Sequence, residues 1–271
     1  MSNAIQVNHL KKRYGNHVVL KEISFQIEKG EIFALLGVNG AGKTTALECI
    51  EGLRQYDSGT ITVNGTTGIQ LQSSSLPSHI KPMEAMALFS KWNKVKTNEA
   101  LAFAFGLQEF KKKQYMQLST GQKRRLHLAL SLVSNPDIIF LDEPTAGLDV
   151  EGRLSLHQQI RKLKSQGKTV VLASHDMAEV ETLCDRMVIL NDGNIVFCGT
   201  ASELTDKIEK KYLIHMKTEN GSQVFEADNI EDMLLSLLAE LKQKGIKVLD
   251  IKVDRGTLEQ HFLEVAKGDK K

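Results

Sequence analysis

Eight residues decide the fold: Gly37-Val38-Asn39-Gly40-Ala41-Gly42-Lys43-Thr44. They fit the spacing G-x-x-x-x-G-K-[ST] of a loop that cradles phosphate. Ile32-Phe33-Ala34-Leu35-Leu36 precedes them, an apolar run with the length of a buried strand. Thr44 to Ile50 follows and reads as a helix, with Leu47 and Ile50 three apart. Strand, glycine-rich turn and helix are the setting this spacing needs. Gly37, Gly40 and Gly42 allow backbone conformations closed to other residues. The loop's N–H groups, with Asn39, Ala41 and Thr45 among the candidate binding residues, can then face phosphate oxygens at a helix N-terminus. Lys43 supplies a point charge to the terminal phosphates, and the Thr44 hydroxyl is a ligand for Mg²⁺.

The rest of the composition sets bounds. At 271 residues the chain holds one large domain, or one with a small companion. Hydrophobic residues make up 41% and charged residues 25%, as in an ordinary soluble protein. A net charge of +2 is too small to argue for nucleic acid or a membrane surface. Cys49, Cys184 and Cys198 lie far apart and read as reduced core thiols of a cytosolic protein. Met1-Ser2-Asn3-Ala4 has no signal-peptide pattern, and no run approaches the apolar length of a membrane span. Any membrane role is therefore expected to come through a partner.

Upstream, Ile5, Val7 and His9 alternate with polar neighbours, as do Ile23, Phe25 and Ile27, which predicts antiparallel strands about a Gly15-Asn16 turn. Tyr14 before that turn is either a half-buried strand aromatic or a ring stacked on a nucleotide base. Downstream, Ile61–Val63 and Gly68–Leu71 are strand candidates, the second ending at Gln72. From Ser73 to Asn135 the pattern becomes helical, over Met83–Trp92, Asn98–Phe105 and Gln122–Val133. Ile138–Leu141 and Thr169–Ala173 are wholly apolar strands separated by a crossover helix over Val150–Gln166. That predicts a parallel sheet covered on both faces. Met187–Leu190 and Ile195–Phe197 flank Asp192-Gly193, a hairpin signal. The chain turns polar over Thr200–Lys211. Beyond it Tyr212–Met216, Gln223–Phe225 and Ile246–Val253 read as strands. Ile230 to Leu241 reads as an amphipathic helix opened by an Asp228/Glu231 capping box, and Leu258–Val265 as a last helix. The expected domains are 1–205, with a helical subdomain at about 73–135, and a small α+β unit at 206–271.

In a parallel sheet ligands gather at the carboxyl ends of the strands. Gly37, Asp142 and His175 each follow a predicted strand, so they converge on one site. Asp142 is placed to hold Mg²⁺ through water, and Glu143 to activate or orient a water against a γ-phosphate. His175 is expected to contact that phosphate. His9, His17, His79, His127, His157, His215 and His261 show no metal-ligand spacing. Leu118-Ser119-Thr120-Gly121-Gln122 opens a helix, with Ser119 as N-cap and Gly121 exposing backbone N–H groups, a natural anion site. The following Lys123-Arg124-Arg125 reads as a solvated helix face. Two phosphate-binding turns for one nucleotide suggest that the second serves a nucleotide held by another protomer.

With these residues in view, positions 3–200 resemble the ATPase subunit of an ATP-binding cassette (ABC) transporter. Tyr14 is similar to the aromatic that stacks on adenine. Gly37–Thr44 resembles Walker A, and Gln72 the glutamine that touches Mg²⁺ and the transporter interface. Leu118–Gln122 resembles the LSGGQ signature, with Thr120 in place of a glycine. Ile138–Asp142 resembles Walker B, Glu143 the catalytic glutamate, Ala146–Asp149 the D-loop and His175 the H-loop histidine. The resemblance implies a P-loop fold of the ABC type, with a mixed sheet, an antiparallel N-terminal part and a helical insert. It implies ATP and Mg²⁺, and a head-to-tail dimer in which Ser119, Gly121 and Gln122 meet the partner's nucleotide. It also implies a separate transmembrane permease at the cytoplasmic face of the membrane. Thr257-Leu258-Glu259 and Phe262-Leu263 are similar to the tail of multidrug and antibiotic-resistance exporters. An importer ATPase, or a soluble ABC-type ATPase of translation or repair, is the alternative.

Overall fold

The computed structural model describes residues 2–70, 75–207 and 212–255. The chain divides into two compact units, Met1–Gly199 and Thr200–Lys271.

In the first unit β1 (Asn3–Tyr14) and β2 (His17–Glu28) form an antiparallel hairpin in which Tyr14 faces His17. Ile5, Val7, Ile23, Phe25 and Ile27 are buried, as their alternation predicts. His9 departs from it. The register shifts between Val7 and Leu10, and His9 takes a left-handed φ of 50°. The bulge turns His9 outward and buries Leu10 in its place. Gly59 fits against it, because a Cβ there would lie 2.5 Å from the His9 carbonyl oxygen.

The chain then enters β3 (Ile32–Gly37), the phosphate loop and α1 (Lys43–Ile50). It returns as β4 (Ser58–Val63), which pairs with β1 to give the order β2-β1-β4. β5 (Thr67–Gln70) enters a second sheet. The helical insert follows as α2 (Pro82–Trp92), α3 (Glu99–Ala104), two short 3₁₀ turns and α4 (Thr120–Ser131). β6 (Ile138–Asp142), α5 (Val150–Ser165), β7 (Thr169–Ser174), α6 (Met177–Leu183), β8 (Arg186–Asn191) and β9 (Asn194–Gly199) complete the unit.

The second sheet runs β5-β6-β7-β3-β8-β9. All its pairings are parallel except β8 with β9, which form the hairpin expected at Asp192-Gly193. Every residue of β3, β6 and β7 is buried. A strand covered on both faces must be apolar on both, which explains their unbroken hydrophobic runs. On one face Phe33, Leu35, Phe140 and Val171 join Ala46, Leu47 and Ile50 of α1 and the inward residues of the first sheet in one core. Phe25 stacks on Phe33 with ring centroids 5.7 Å apart. α5 and α6 contact β7, and α6 also meets β3. Truncating a side chain such as Phe140 to Ala would cost about 3–5 kcal/mol. This core holds β3, β6 and β7 side by side, with their carboxyl ends aligned: Leu36 pairs with Ser174 and Asp142 with Ala173.

The second unit contains α7 (Ala201–Lys207), β10 (Tyr212–Thr218), β11 (Gly221–Ala227), α8 (Ile230–Gln243) and β12 (Val248–Arg255). Its antiparallel sheet has the order β11-β10-β12. The cap of α8 is Asn229, whose side chain accepts from the Glu231 N–H, in place of the Asp228 box read from the sequence. The cysteine reading is also corrected: Cys49 is buried, but Cys198 is exposed on β9. Gln72 and the helix expected at Leu258–Val265 lie outside the described residues. Among the described residues no helix is long and apolar enough to cross a membrane.

Candidate nucleotide site

The phosphate loop is shaped by contacts on both sides. Gly42, the N-cap of α1, takes φ 103°, and a Cβ there would lie 2.9 Å from the Leu20 side chain. Gly37 is needed for a different reason than the sequence reading supposed. Its φ is not positive, but a Cβ would lie 2.6 Å from the Leu190 carbonyl oxygen of β8. Lys43 is buried, and its ammonium donates to the carbonyls of Gly37 at 2.8 Å and Val38 at 3.2 Å. Burial lowers its pKa, while Glu143 and Asp142 oppose the shift.

Asp142 ends β6 beside the first turn of α1, where its Oδ2 accepts from the Thr44 hydroxyl at 3.2 Å. Its Oδ1 is buried without a hydrogen-bond partner. Burial raises the Asp142 pKa, the Thr44 hydrogen bond opposes this, and Glu143 adds to it. A buried acceptor left unmade costs about 1–3 kcal/mol, so the site is built to receive something. One hydroxyl and one carboxylate form a hard oxygen set suited to Mg²⁺. Among the described residues no group of three or more His, Cys, Asp or Glu could hold a metal alone. That fits an ion that keeps water and phosphate oxygens as its other ligands.

Glu143 leaves the strand with a left-handed φ of 48°, a conformation a non-glycine residue adopts under strain. The bend turns its carboxylate onto His175, whose Nδ1 lies 2.8 Å from Oε2 and 2.9 Å from Oε1. An ionised carboxylate only accepts, so this pairing selects the tautomer with its proton on Nδ1. The His175 side chain is 55% exposed.

The loop opens on a pocket of about 340 Å³ lined by Asn39, Gly40, Gly42, Lys43, Thr44, Thr45 and Glu143, together with His17 and Val19. Sequence reading missed these last two, which carry no spacing signal of their own. They enter because the start of β2 runs along the loop, with the Val19 carbonyl close to Gly42. Tyr14 is not among the lining residues. Its ring is 43% exposed, with the Lys12 ammonium 5.2 Å and the Arg54 guanidinium 5.4 Å from its centroid.

The turn at Ser119 opens elsewhere. Ser119 Oγ accepts from the Gln122 N–H at 3.2 Å, and Gln122 Oε1 accepts from the Ser119 N–H at 3.1 Å, a reciprocal cap on α4. Ser119 is exposed and Gly121 half-buried. With Gly147–Asp149, Gly152 and Ser155 they line a cleft of about 580 Å³ that shares no residue with the phosphate-loop pocket. The following basic residues are not a freely solvated face. Lys123 lies 5.0 Å from the Tyr115 ring centroid, and Arg125 lies 5.2 Å from that of Phe110.

A parallel-stranded core with a Gly37–Thr44 loop opening α1, a strand-end Asp-Glu pair and a separate capped turn at Ser119 defines a nucleotide-hydrolysing cassette. Residues 20–146 match the family described as ABC transporter. The chain is 31% identical to the linearmycin resistance ATP-binding protein LnrL of Bacillus subtilis, over 96% of this chain and 97% of that one. It is 34% identical to an uncharacterized ABC transporter ATP-binding protein of Methanocaldococcus jannaschii, over 97% of this chain and all of that one. It is 36% identical to the Nod factor export ATP-binding protein I of Burkholderia orbicola, over 74% and 72%. The fold matches the ADP conformation of an ATP-binding cassette from an ABC transporter, with a TM-score of 0.68 at 19% identity, covering 75% of this chain and 93% of that one. The chain belongs to the ATP-binding subunits of ABC transporters, and its activity is ATP hydrolysis.

Proposed function

We propose that this chain powers an ABC exporter. Two copies would close head to tail on ATP and drive a separate transmembrane permease from the cytoplasmic face. The observation that carries the dimer is the cleft at Ser119 and Gly121. It is open to another molecule and separate from the chain's own phosphate loop. Export is supported by relatives named for linearmycin resistance and Nod factor export. The direction and the cargo belong to the membrane partner.

The residues supply the chemistry as follows. Lys43 exchanges its carbonyl partners for the terminal phosphates, and the loop N–H groups hold the oxygens between. Thr44 and Asp142 would hold Mg²⁺, which when bound neutralises charge on the β- and γ-phosphates. Glu143, gripped by His175, orients a water toward the γ-phosphorus and draws on its proton as the bond to the ADP oxygen breaks. His175 would offer Nε2 to the γ-phosphate. Ser119 and the backbone of Gly121 in one copy would complete the pocket of the other.

Glu143→Gln is expected to keep ATP binding, to lower turnover by about a thousandfold or more, and to accumulate an ATP-bound dimer on size exclusion. A strictly monomeric profile with Mg²⁺ and ATP would count against the shared site. Lys43→Ala is expected to abolish ATP binding by calorimetry, and wild-type affinity would remove Lys43 from the site.

A further inference from the structure

α5 carries Arg153 and His157 four residues apart, on one face of the helix. Both reach α6. Arg153 donates through Nη1 to Asp176 Oδ2 at 3.1 Å, and His157 Nε2 lies 3.4 Å from Glu179 Oε1. The other Glu179 oxygen accepts from the Ser174 hydroxyl at 2.7 Å. Ser174 Oγ in turn accepts from the Asp176 N–H at 3.1 Å, and Asp176 Oδ1 accepts from the Glu179 N–H at 3.1 Å. His157, Glu179 and Ser174 are 4%, 2% and 0% exposed. His175 is the residue between the two held positions, Ser174 and Asp176, and its ring lies against Glu143.

Nothing in the hydrolysis uses His157 or Glu179. Burying them is also a poor way to gain stability, since apolar side chains of similar volume usually serve as well or better. What the network provides is direction. It fixes the backbone on both sides of His175, and hence the angle at which the imidazole meets Glu143. Asp149 precedes α5, and its side chain caps the helix by accepting from the Gly152 N–H. Asp149 and Gly152 line the cleft with Ser119 and Gly121. One rigid helix therefore has its first turn in the cleft and its flank on the His175 segment.

We propose that Arg153 and His157 are positioning residues through which α5 sets the pose of His175, so that docking at the cleft is felt at the group that grips Glu143. The proposal rests on the roles given above to His175 and the cleft. Steady-state ATPase of the full chain tests it, with melting temperature measured on each variant. Glu179→Leu and His157→Phe are expected to lower kcat about tenfold and to leave KM for ATP within about twofold. Glu179→Gln, which keeps an acceptor for Ser174, is expected to recover most of the loss. Unchanged kcat in both disruptive variants would overturn the proposal. So would a fall that follows the melting temperature and is not recovered by Glu179→Gln. If Glu179→Leu does not fold, His157→Phe decides: unchanged kcat, or a fall that follows the melting temperature, would overturn the proposal. His175→Ala separates the two levels: wild-type turnover in that variant would remove the assigned role of His175 itself, whereas its loss beside silent Glu179→Leu and His157→Phe would remove only the brace.

Discussion

Glu51 follows α1 with both carboxylate oxygens buried and unpartnered. Burial, then Asp142 and Glu48, push its pKa from 4.5 up to about 7. Between those values the folded chain holds a proton that the unfolded chain has released, so this group makes stability fall as pH rises through the window. His127 works in the opposite sense. Burial, then Arg124 and Lys123, push it from 6.5 down to about 4, so its contribution is lost as pH falls through that range. The two slopes oppose each other where the windows overlap. Glu51→Gln is expected to stabilise the chain by about 1 kcal/mol above neutrality, after allowance for partial exposure. It should also unmask a stability that rises with pH where the wild type is nearly flat. Urea unfolding across the acid range checks this, and an unaltered profile would mean that Glu51 is solvated. Such a residue is illegible in sequence, because its burial is decided by elements that arrive later in the chain. Lys43, Thr44, Asp142, Glu143 and His175 were legible for the converse reason: each follows an apolar strand at short range. His17 and Val19 have no such marker, and only the path of β2 brings them to the pocket.

At the scale of elements, the start of α4 joins a structural cap to a proposed anion site, and the two roles can be separated. Ser119→Ala removes the acceptor for the Gln122 N–H. It is expected to cost about 1 kcal/mol of stability as well as activity. Ser119→Asp is as good a cap, but it sets a negative charge where the partner's phosphate would sit. It is expected to melt like the wild type and to lose ATP-driven dimerisation on size exclusion; dimerisation at the wild-type level would mean that Ser119 faces no phosphate. The same contrast explains which elements could be read in advance. The central residues of β3, β6 and β7 are apolar on both faces because these strands are buried throughout, so composition alone marks them. β1 misled at His9 because a bulge shifts the register by one residue, and side-chain alternation carries no sign of where a strand will break step. The start of α8 was misread by a single position, since Asp228 and Asn229 are equally good caps and only the backbone chooses between them.

For the whole molecule, the proposed sharing of the pocket between two copies would make activity depend on encounter. Specific ATPase activity is expected to rise with protein concentration and then saturate, and a flat dependence from dilute solution upward would favour a self-sufficient monomer. The sequence offers two candidate phosphate turns in one chain, but that the cleft at Ser119 shares no residue with the phosphate-loop pocket depends on how the insert packs. The contiguity of β7, β3 and β6 has a further consequence. Loop, carboxylates and histidine follow adjacent strands of one sheet, so opening one part of the pocket is expected to loosen the others. A hundredfold excess of ATP over Kd would stabilise the closed form by about 2.7 kcal/mol. Deuterium uptake should then slow by one common factor along all three strands, as a single cooperative block.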